Sequence, residues 1–193
     1  MQWLHEISGT EGDRFSRRRF LQLSAVTVLA GTAPRLSFAA VRDGSCDKRS
    51  LSFYETHTGE SLKTIYCING EYQPGALADI NHILRDFRTG EVKLIDTRLL
   101  DLLHAIKLKL DTNKPFHVIS GYRSAKTNAL LHKRNKGVAK NSLHIYGKAI
   151  DLRLPGCTLC HLRRMAIDLR GGGVGYYPRP DFVHLDVGRV RYW

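Results

Sequence analysis

The segment from Asn141 to Asp151, with the sequence NSLHIYGKAID, places the strongest constraint on how this chain can fold. It carries one imidazole, His144, and one carboxylate, Asp151, seven residues later. On an unbroken β-strand, residues seven apart point to opposite faces. The two side chains can therefore meet only if the backbone bends between them, and Gly147 is the residue best able to make that bend. We expect His144 on a loop or strand end and Asp151 on a strand.

A second imidazole, His184 in the later segment FVHLDV, completes a potential metal-binding set with His144 and Asp151. Two neutral imidazole nitrogens, one carboxylate oxygen and one open position are typical of a catalytic zinc site. The spacing alone is equally compatible with two core histidines and a solvated aspartate. The three residues by themselves therefore leave both interpretations open.

Hydrophobic spacing and turn residues divide the rest of the chain into short strands and helices. Strand patterns next to Gly, Pro and Asp turns predict strands over residues 51–57, 62–68, 116–119, 174–177 and 182–187. Helical spacing predicts a helix over residues 76–87, one capped by Asp96, one capped by Ser124, and one over residues 159–169. Mixed hairpins and helices indicate an α+β fold, an antiparallel sheet with helices packed against it.

Longer motifs identify a family by resemblance. The pattern S-x-H-x-x-G-x-A-x-D from Ser142, followed by a later His, resembles the metal signature of the D-Ala-D-Ala metallopeptidases, peptidase family M15. The segment SGYRS at residues 120–124 is similar to the substrate-arginine motif of that family. The segments FHVISGYRS, GKAIDLR and FVHLDVGRVRYW most resemble its murein endopeptidase K branch, and this resemblance extends over residues 51–193.

That resemblance implies the hedgehog/DD-peptidase fold and a zinc ion bound by His144, Asp151 and His184. It implies hydrolysis of peptide cross-links in peptidoglycan, either between two diaminopimelate residues or between D-Ala and diaminopimelate. Arg123 would stabilise the oxyanion or hold a substrate carboxylate. Two alternatives stay open: a D,D- or L,D-carboxypeptidase that trims stem peptides, and a non-catalytic, zinc-bound peptidoglycan-binding module.

Two aspartates are candidates for the general base. Family relatives carry Glu three residues before the last metal histidine, and this chain has the shorter Asp181 at that position. Asp186 is the alternative, although a carboxylate so close to His184 is also well suited to orienting the ligand imidazole.

The first 39 residues have the features of an export signal. SRRRFLQ at residues 16–22 is a twin-arginine pattern, and an apolar run follows it. The run stops at Pro34, short of the roughly 20 apolar residues that span a membrane. We expect the twin-arginine route to the periplasm, cleavage after Ala39 and no stable membrane insertion afterwards, with an uncleaved anchor as the alternative.

After this signal we expect a linker over residues 40–50 and a zinc metallopeptidase domain over residues 51–193. The net charge of +12 would suit nucleic acid as well as an anionic wall polymer. The sequence lacks a Lys/Arg stripe interleaved with aromatic residues, so we predict no nucleic-acid partner. Nothing in the sequence defines an oligomeric state.

Four cysteines remain to be placed: Cys46, Cys67, Cys157 and Cys160. In an oxidising compartment the simplest outcome is two disulfides, Cys46–Cys67 and Cys157–Cys160. The sequence CTLCH at residues 157–161 also matches haem-attachment and redox-pair patterns. We disfavour both, because the motif opens a predicted helix in a chain that resembles another family throughout.

Overall fold

The computed structural model describes residues 47–135 and 137–193. The predicted export signal, its cleavage site, most of the predicted linker and Cys46 lie outside these residues. The strands of the described part are β1 (Lys48–Glu55), β2 (Ser61–Ile68), β3 (Glu71–Tyr72), β4 (Phe116–Ser120), β5 (Ala149–Arg153), β6 (Gly173–Tyr177), β7 (Phe182–Asp186) and β8 (Arg191–Tyr192). Its α-helices are α1 (Pro74–Ile83), α2 (Thr97–Lys109), α3 (Ala125–Arg134) and α4 (Leu159–Leu169).

The eight strands form one mixed sheet in the order β3-β2-β1-β4-β5-β7-β6-β8. The α+β class is confirmed, but the expectation of an antiparallel sheet is only partly right. β1 pairs with β4 in parallel, because the long connection through β2, β3, α1 and α2 lets the chain return in the same direction. β8 runs parallel to β6, because the chain reverses direction once between β6 and β7 and again between β7 and β8. β5 already occupies the other edge of β7, so β8 pairs with β6.

The core lies between the sheet and the helices, chiefly α2 and α4. α2 buries Leu99, Leu100, Leu103 and Ile106, four of the five apolar residues that the helical spacing predicts for its buried face; the fifth, Leu110, is the half-buried C-cap. Asp96 caps α2, since its side chain accepts a hydrogen bond from the Arg98 backbone N–H. This helix is therefore specified by local sequence, and the prediction for it is confirmed.

The largest differences from the predicted boundaries lie at the end of α1 and the start of β1. α1 ends at Ile83, four residues before the predicted Phe87, because Asp86 accepts backbone hydrogen bonds that fold residues 86–91 into a turn. β1 begins at Lys48, inside the predicted linker, where the Arg49 and Ser50 side chains bond to residues of α2. The folded domain therefore starts before residue 51.

The structure contains free thiols at Cys157 and Cys160, so the predicted disulfide between them is wrong. The Cys160 Sγ lies 3.1 Å from the Tyr176 hydroxyl oxygen, whereas the Cys157 Sγ lies 3.6 Å from the Thr158 carbonyl oxygen. The two sulfurs thus contact different partners. Cys67 is buried in the core, and its predicted partner is Cys46.

Among the helices of the described residues, none combines the length and the apolar character needed to cross a membrane.

Candidate metal centre

The three predicted metal ligands converge at the centre of the sheet. Asp151 on β5 lies directly opposite His184 on β7 in the antiparallel register of these strands. His144 approaches from a short 3₁₀ turn, Leu143–Tyr146, that immediately precedes β5. Antiparallel pairing puts directly opposed residues on the same face, so the sheet itself brings the carboxylate and the second imidazole together.

The backbone bends at Gly147, as predicted. Gly147 has φ +64°, in the left-handed region that glycine tolerates best, and its N–H closes the 3₁₀ turn on His144 and Leu143. A Cβ at this position would also clash with the carbonyl oxygen of Leu94. Conformation and space both require glycine here, and this bend brings His144 to the face that carries Asp151.

The ligand atoms form a compact triangle. The Asp151 Oδ1 lies 2.8 Å from His184 Nδ1 and 3.2 Å from His144 Nε2, and the two imidazole nitrogens are 3.2 Å apart. Two ligand atoms about 2.0–2.1 Å from one tetrahedral zinc ion lie about 3.3 Å from each other. The triangle therefore already has nearly the dimensions of one face of a zinc coordination shell.

Each imidazole is fixed from its far side. The His144 Nδ1 lies 2.7 Å from the carbonyl oxygen of Gly121, which only accepts hydrogen bonds, so Nδ1 carries the proton and Nε2 directs its lone pair at the cluster. The His184 Nε2 lies 3.1 Å from Asp186 Oδ2, which leaves Nδ1 as the nitrogen that faces Asp151. Carboxylate and carbonyl partners of this kind are typical around metal-binding histidines.

This arrangement concentrates acceptors at one point. Two imidazole lone pairs and a carboxylate oxygen repel one another unless a cation lies between them. Burial lowers the pKa of His184, but hydrogen bonds and charge from Asp151 and Asp186 outweigh it and raise the pKa to about 9. The cluster thus attracts positive charge, and a nitrogen, nitrogen and oxygen donor set fits zinc.

The other two members of the cluster have shifted pKa values as well. Burial lowers the pKa of His144, which favours the neutral imidazole that a metal needs. Burial opposes ionisation of Asp151, but the charge and hydrogen bonds of the two imidazoles outweigh it and hold its pKa well below the usual range. His144 and Asp151 are therefore in the protonation states that metal binding requires.

Asp186 is wholly buried and fully hydrogen-bonded. Its Oδ1 accepts from the backbone N–H groups of Gly173 and Gly188, at 3.1 and 2.8 Å. The Arg191 guanidinium bonds both carboxylate oxygens, at 3.1 and 2.7 Å. Because its second oxygen also bonds His184, this carboxylate holds the ligand imidazole and has no free position from which to take a proton from water.

Asp181 lies apart from the cluster. It occupies the β6–β7 turn with φ +59°, and its Oδ2 accepts from Arg153 Nη1 at 2.8 Å. The Asp181 side chain is exposed and the Arg153 side chain is partly exposed. Asp181 is not among the residues that line the cleft over the metal cluster, although its neighbours Pro180 and Phe182 are.

Arg123 lies beside the metal cluster, as predicted. Its Nη2 donates to Asp151 Oδ2 at 3.2 Å and to Ser120 Oγ at 3.3 Å, and its buried Nε has no partner among the described residues. Burial lowers the pKa of Arg123. The following residue, Ser124, caps α3 with its side chain, and its backbone N–H donates to Asp86. These two hydrogen bonds fix the end of the loop that carries Arg123.

The cluster forms the floor of an open cleft of about 530 Å³. One wall comes from the segment around Val138 and Asn141, and the other is aromatic, with Tyr177, Phe182 and Trp193. The Trp193 indole N–H donates to the Tyr177 hydroxyl at 2.7 Å, and the Tyr177 and Phe182 rings stack at 4.7 Å. An extended peptide has room to lie between these walls.

Sequence reasoning missed three contributors to this site: the Gly121 carbonyl, Arg191 and Trp193. A backbone carbonyl has no residue signature. Arg191 begins a strand of only two residues, and Trp193 directly follows it, so no periodicity could reveal either residue. The segment GRVRYW contributed only to the resemblance, and the pair of arginines next to an aromatic residue was the available signal.

A family model described as “Peptidoglycan L,D-endopeptidase MepK” matches residues 43–193. The chain is 42% identical over 183 residues to the peptidoglycan L,D-endopeptidase MepK of Escherichia coli, across 94% of this chain and 100% of that protein. It is 38% identical over 179 residues to a probable peptidoglycan L,D-endopeptidase MepK of Haemophilus influenzae, across 92% of this chain and 95% of that protein.

A more distant relative is the zinc D-Ala-D-Ala carboxypeptidase of Streptomyces albus G, 31% identical over 123 residues, which are 60% of this chain and 46% of that protein. The two nearer relatives match most of the chain, and the family model covers the whole segment that carries the three candidate metal ligands. On these grounds the chain belongs to the MepK family of peptidoglycan L,D-endopeptidases, within peptidase family M15.

Proposed function

We propose that this chain is a zinc-dependent endopeptidase that hydrolyses amide bonds in the peptide cross-links of peptidoglycan. The observation that carries the proposal is the triangle of His144, Asp151 and His184 at the floor of an open cleft, with the Arg123 cation next to it. Residue types and spacing suit a zinc ion with one position left for water.

When bound, zinc would polarise the scissile carbonyl and lower the pKa of a water molecule towards neutrality. His144, Asp151 and His184 would hold it, with one negative charge among the three ligands. Arg123 would donate hydrogen bonds to the oxygen that becomes negative in the transition state, or to a substrate carboxylate. Its guanidinium suits either role because Asp151 and Ser120 fix its orientation from the cluster side.

We keep Asp181 as the candidate general base. Its position three residues before His184 supports the role. The alternative, Asp186, is already hydrogen-bonded to His184 and Arg191. In this structure Asp181 pairs with Arg153, so it would have to leave that partner to reach the cleft. An ion pair of this kind near the surface contributes at most about 1 kcal/mol, so separating Asp181 from Arg153 costs little free energy.

The substrate class follows from the relatives. Two of them are named L,D-endopeptidases, which favours a cross-link joined through an L,D bond, as between two diaminopimelate residues. The third is named a D-Ala-D-Ala carboxypeptidase, so stem-peptide trimming is the second candidate function. Arg123 could serve that reaction by holding a terminal carboxylate.

Digestion of purified sacculi by the zinc-loaded protein, followed by separation of the muropeptides, tests the proposal. Endopeptidase activity yields uncross-linked products, and a His184→Ala control should yield none. Shortened stems without loss of cross-links would identify a carboxypeptidase instead. Binding to sacculi without any new product would contradict both and identify a non-catalytic binding module.

We also propose export to the periplasm by the twin-arginine route, where this substrate lies. The pattern at residues 16–22 supports the route. Replacement of Arg17 and Arg18 by Lys should leave the protein in the cytoplasmic fraction. Unchanged export of that variant would contradict the route without affecting the enzymatic proposal.

A further inference from the structure

We infer that Arg191 is a positioning residue for the metal centre: it fixes Asp186, and through Asp186 it fixes the orientation of the ligand His184. This inference rests on the proposed zinc site. It makes the short strand β8 a functional part of that site.

The contacts form an unbroken series from β8 to the metal cluster. Arg191 Nη1 and Nη2 bond the two oxygens of Asp186 at 3.1 and 2.7 Å, in the paired geometry that only a guanidinium provides. Asp186 Oδ2 bonds His184 Nε2 at 3.1 Å, and His184 Nδ1 faces Asp151 Oδ1 at 2.8 Å. Rotation of the imidazole away from the cluster would break the Asp186 bond.

Arg191 also makes this series possible energetically. Asp186 has no solvent exposure, and a buried carboxylate is costly unless it is paired and hydrogen-bonded. Arg191 pairs this carboxylate with a guanidinium charge, while two backbone N–H groups bond its Oδ1 atom. The site is built around this pair, since a Cβ at Gly173 would clash with both the Asp186 carboxylate and the Arg191 guanidinium.

The surroundings hold Arg191 in one place. Its guanidinium lies 4.9 Å from the centre of the Trp193 ring, which itself lies 5.4 Å from the His184 ring. Arg191 Nη1 also donates to the Arg189 carbonyl oxygen at 3.0 Å.

Because Arg191 lines the cleft, the alternative is that it serves only to bind substrate. The two roles predict different zinc affinities when Arg191 is replaced.

The test measures zinc affinity by chelator competition in the absence of substrate. Arg191→Ala should bind zinc about 10–100-fold more weakly than the parent protein, the effect typical of losing an outer partner of a metal ligand. Arg191→Lys should fall in between, because an ammonium keeps the charge and loses the paired bonds. Arg189→Ala, an exposed neighbour on the same segment, is the matched control and should bind zinc as the parent does.

A double-variant comparison tests whether Arg191 acts through Asp186. Asp186→Asn should weaken zinc binding, and adding Arg191→Ala to it should cause little further loss, since the shared interaction is already broken. The double variant also removes the unpaired buried charge that Arg191→Ala would create. It therefore keeps the comparison possible if the single variant does not fold.

Normal zinc affinity of folded Arg191→Ala, with only a raised KM, would overturn the inference and assign Arg191 to substrate binding. A further loss in the double variant well beyond that of Asp186→Asn alone would overturn the path through Asp186. The proposed zinc site has its own test, because His184→Ala should lose zinc in either case. Retention of zinc by His184→Ala would contradict the site itself.

Discussion

Asp181, the proposed general base, is expected to affect the reaction rate without taking part in metal binding. Its ion pair with Arg153 lies near the surface, so it stabilises the fold little, while the position of Asp181 before His184 suits proton transfer. We expect Asp181→Ala to lower kcat by about 10²–10⁴-fold with zinc still bound, the usual contribution of a general base. Steady-state kinetics combined with a measurement of bound zinc would test this.

Two further variants sharpen that test. Asp181→Glu restores the longer side chain of the family pattern and should keep most of the activity. Arg153→Ala frees Asp181 from its partner and should leave kcat equal to or above that of the parent protein. Full activity of Asp181→Ala would place the base elsewhere.

Asp86 is a second residue whose charge matters, here for stability. It is buried, and it accepts from the backbone N–H groups of Ser124 and Arg88. Burial alone would raise its pKa, but hydrogen bonds, including one from the Thr127 side chain, outweigh that effect and lower the pKa below its usual value. A carboxyl group with a lowered folded-state pKa stabilises the protein above its unfolded pKa of about 3.9 and loses this contribution as the pH falls through the folded value.

We therefore expect Asp86→Asn to lower the free energy of unfolding by about 2 kcal/mol near neutral pH, the scale of hydrogen bonds to a charged group. The difference from the parent protein should shrink as the pH falls below about 4. Denaturant titrations across this range measure it. Asp79→Asn, at an exposed position of α1, is the control and should show no such difference, and a pH-independent effect at Asp86 would contradict the electrostatic explanation.

At the level of elements, local signals were predictable and non-local pairings were not. The capping residues Asp96 and Ser124 and the spacing of apolar residues in α4 are local features of the sequence, so those helices appear where expected. The parallel pairing of β1 with β4 depends on the path of the chain through β2, β3, α1 and α2, and no single segment of the sequence determines that path. The motif fixes the residue types of the candidate metal ligands, so these could be proposed from the sequence, whereas the contacts of β8 are made only in the folded chain.

Gly147 connects the 3₁₀ turn to β5, and its replacement should damage both. Gly147→Ala forces an alanine into the left-handed region and drives its Cβ into the Leu94 carbonyl. We expect a loss of more than about 1 kcal/mol in the free energy of unfolding, together with weaker zinc binding. Gly75→Ala is the matched control, because Gly75 lies in α1 and a Cβ there would meet no other atom. This variant should be as stable as the parent protein or more stable. Equal behaviour of the two variants would contradict the explanation.

For the whole molecule, the proposed zinc site would connect segments that are far apart in the sequence. The ligands come from the 3₁₀ turn, β5 and β7, so a bound ion would link segments 40 residues apart in sequence. The hydrophobic core includes the neighbours of the ligands on β5 and β7, such as Ile150, Leu152 and Leu185, but none of the three candidate ligands belongs to it. Metal removal should therefore loosen the site without unfolding the sheet.

This coupling gives a prediction for the intact protein. A ligand that binds only the folded state stabilises it by about 2.7 kcal/mol at a free concentration of 100 times its Kd, so zinc should raise the Tm of the chelator-treated protein in a concentration-dependent way. The far-ultraviolet circular dichroism should change little on metal removal, and readdition of zinc should restore activity. His184→Ala should abolish the zinc-dependent rise in Tm while keeping a cooperative unfolding transition. A parent protein whose Tm is independent of zinc would show that the cluster of His144, Asp151 and His184 does not bind the ion in the folded chain.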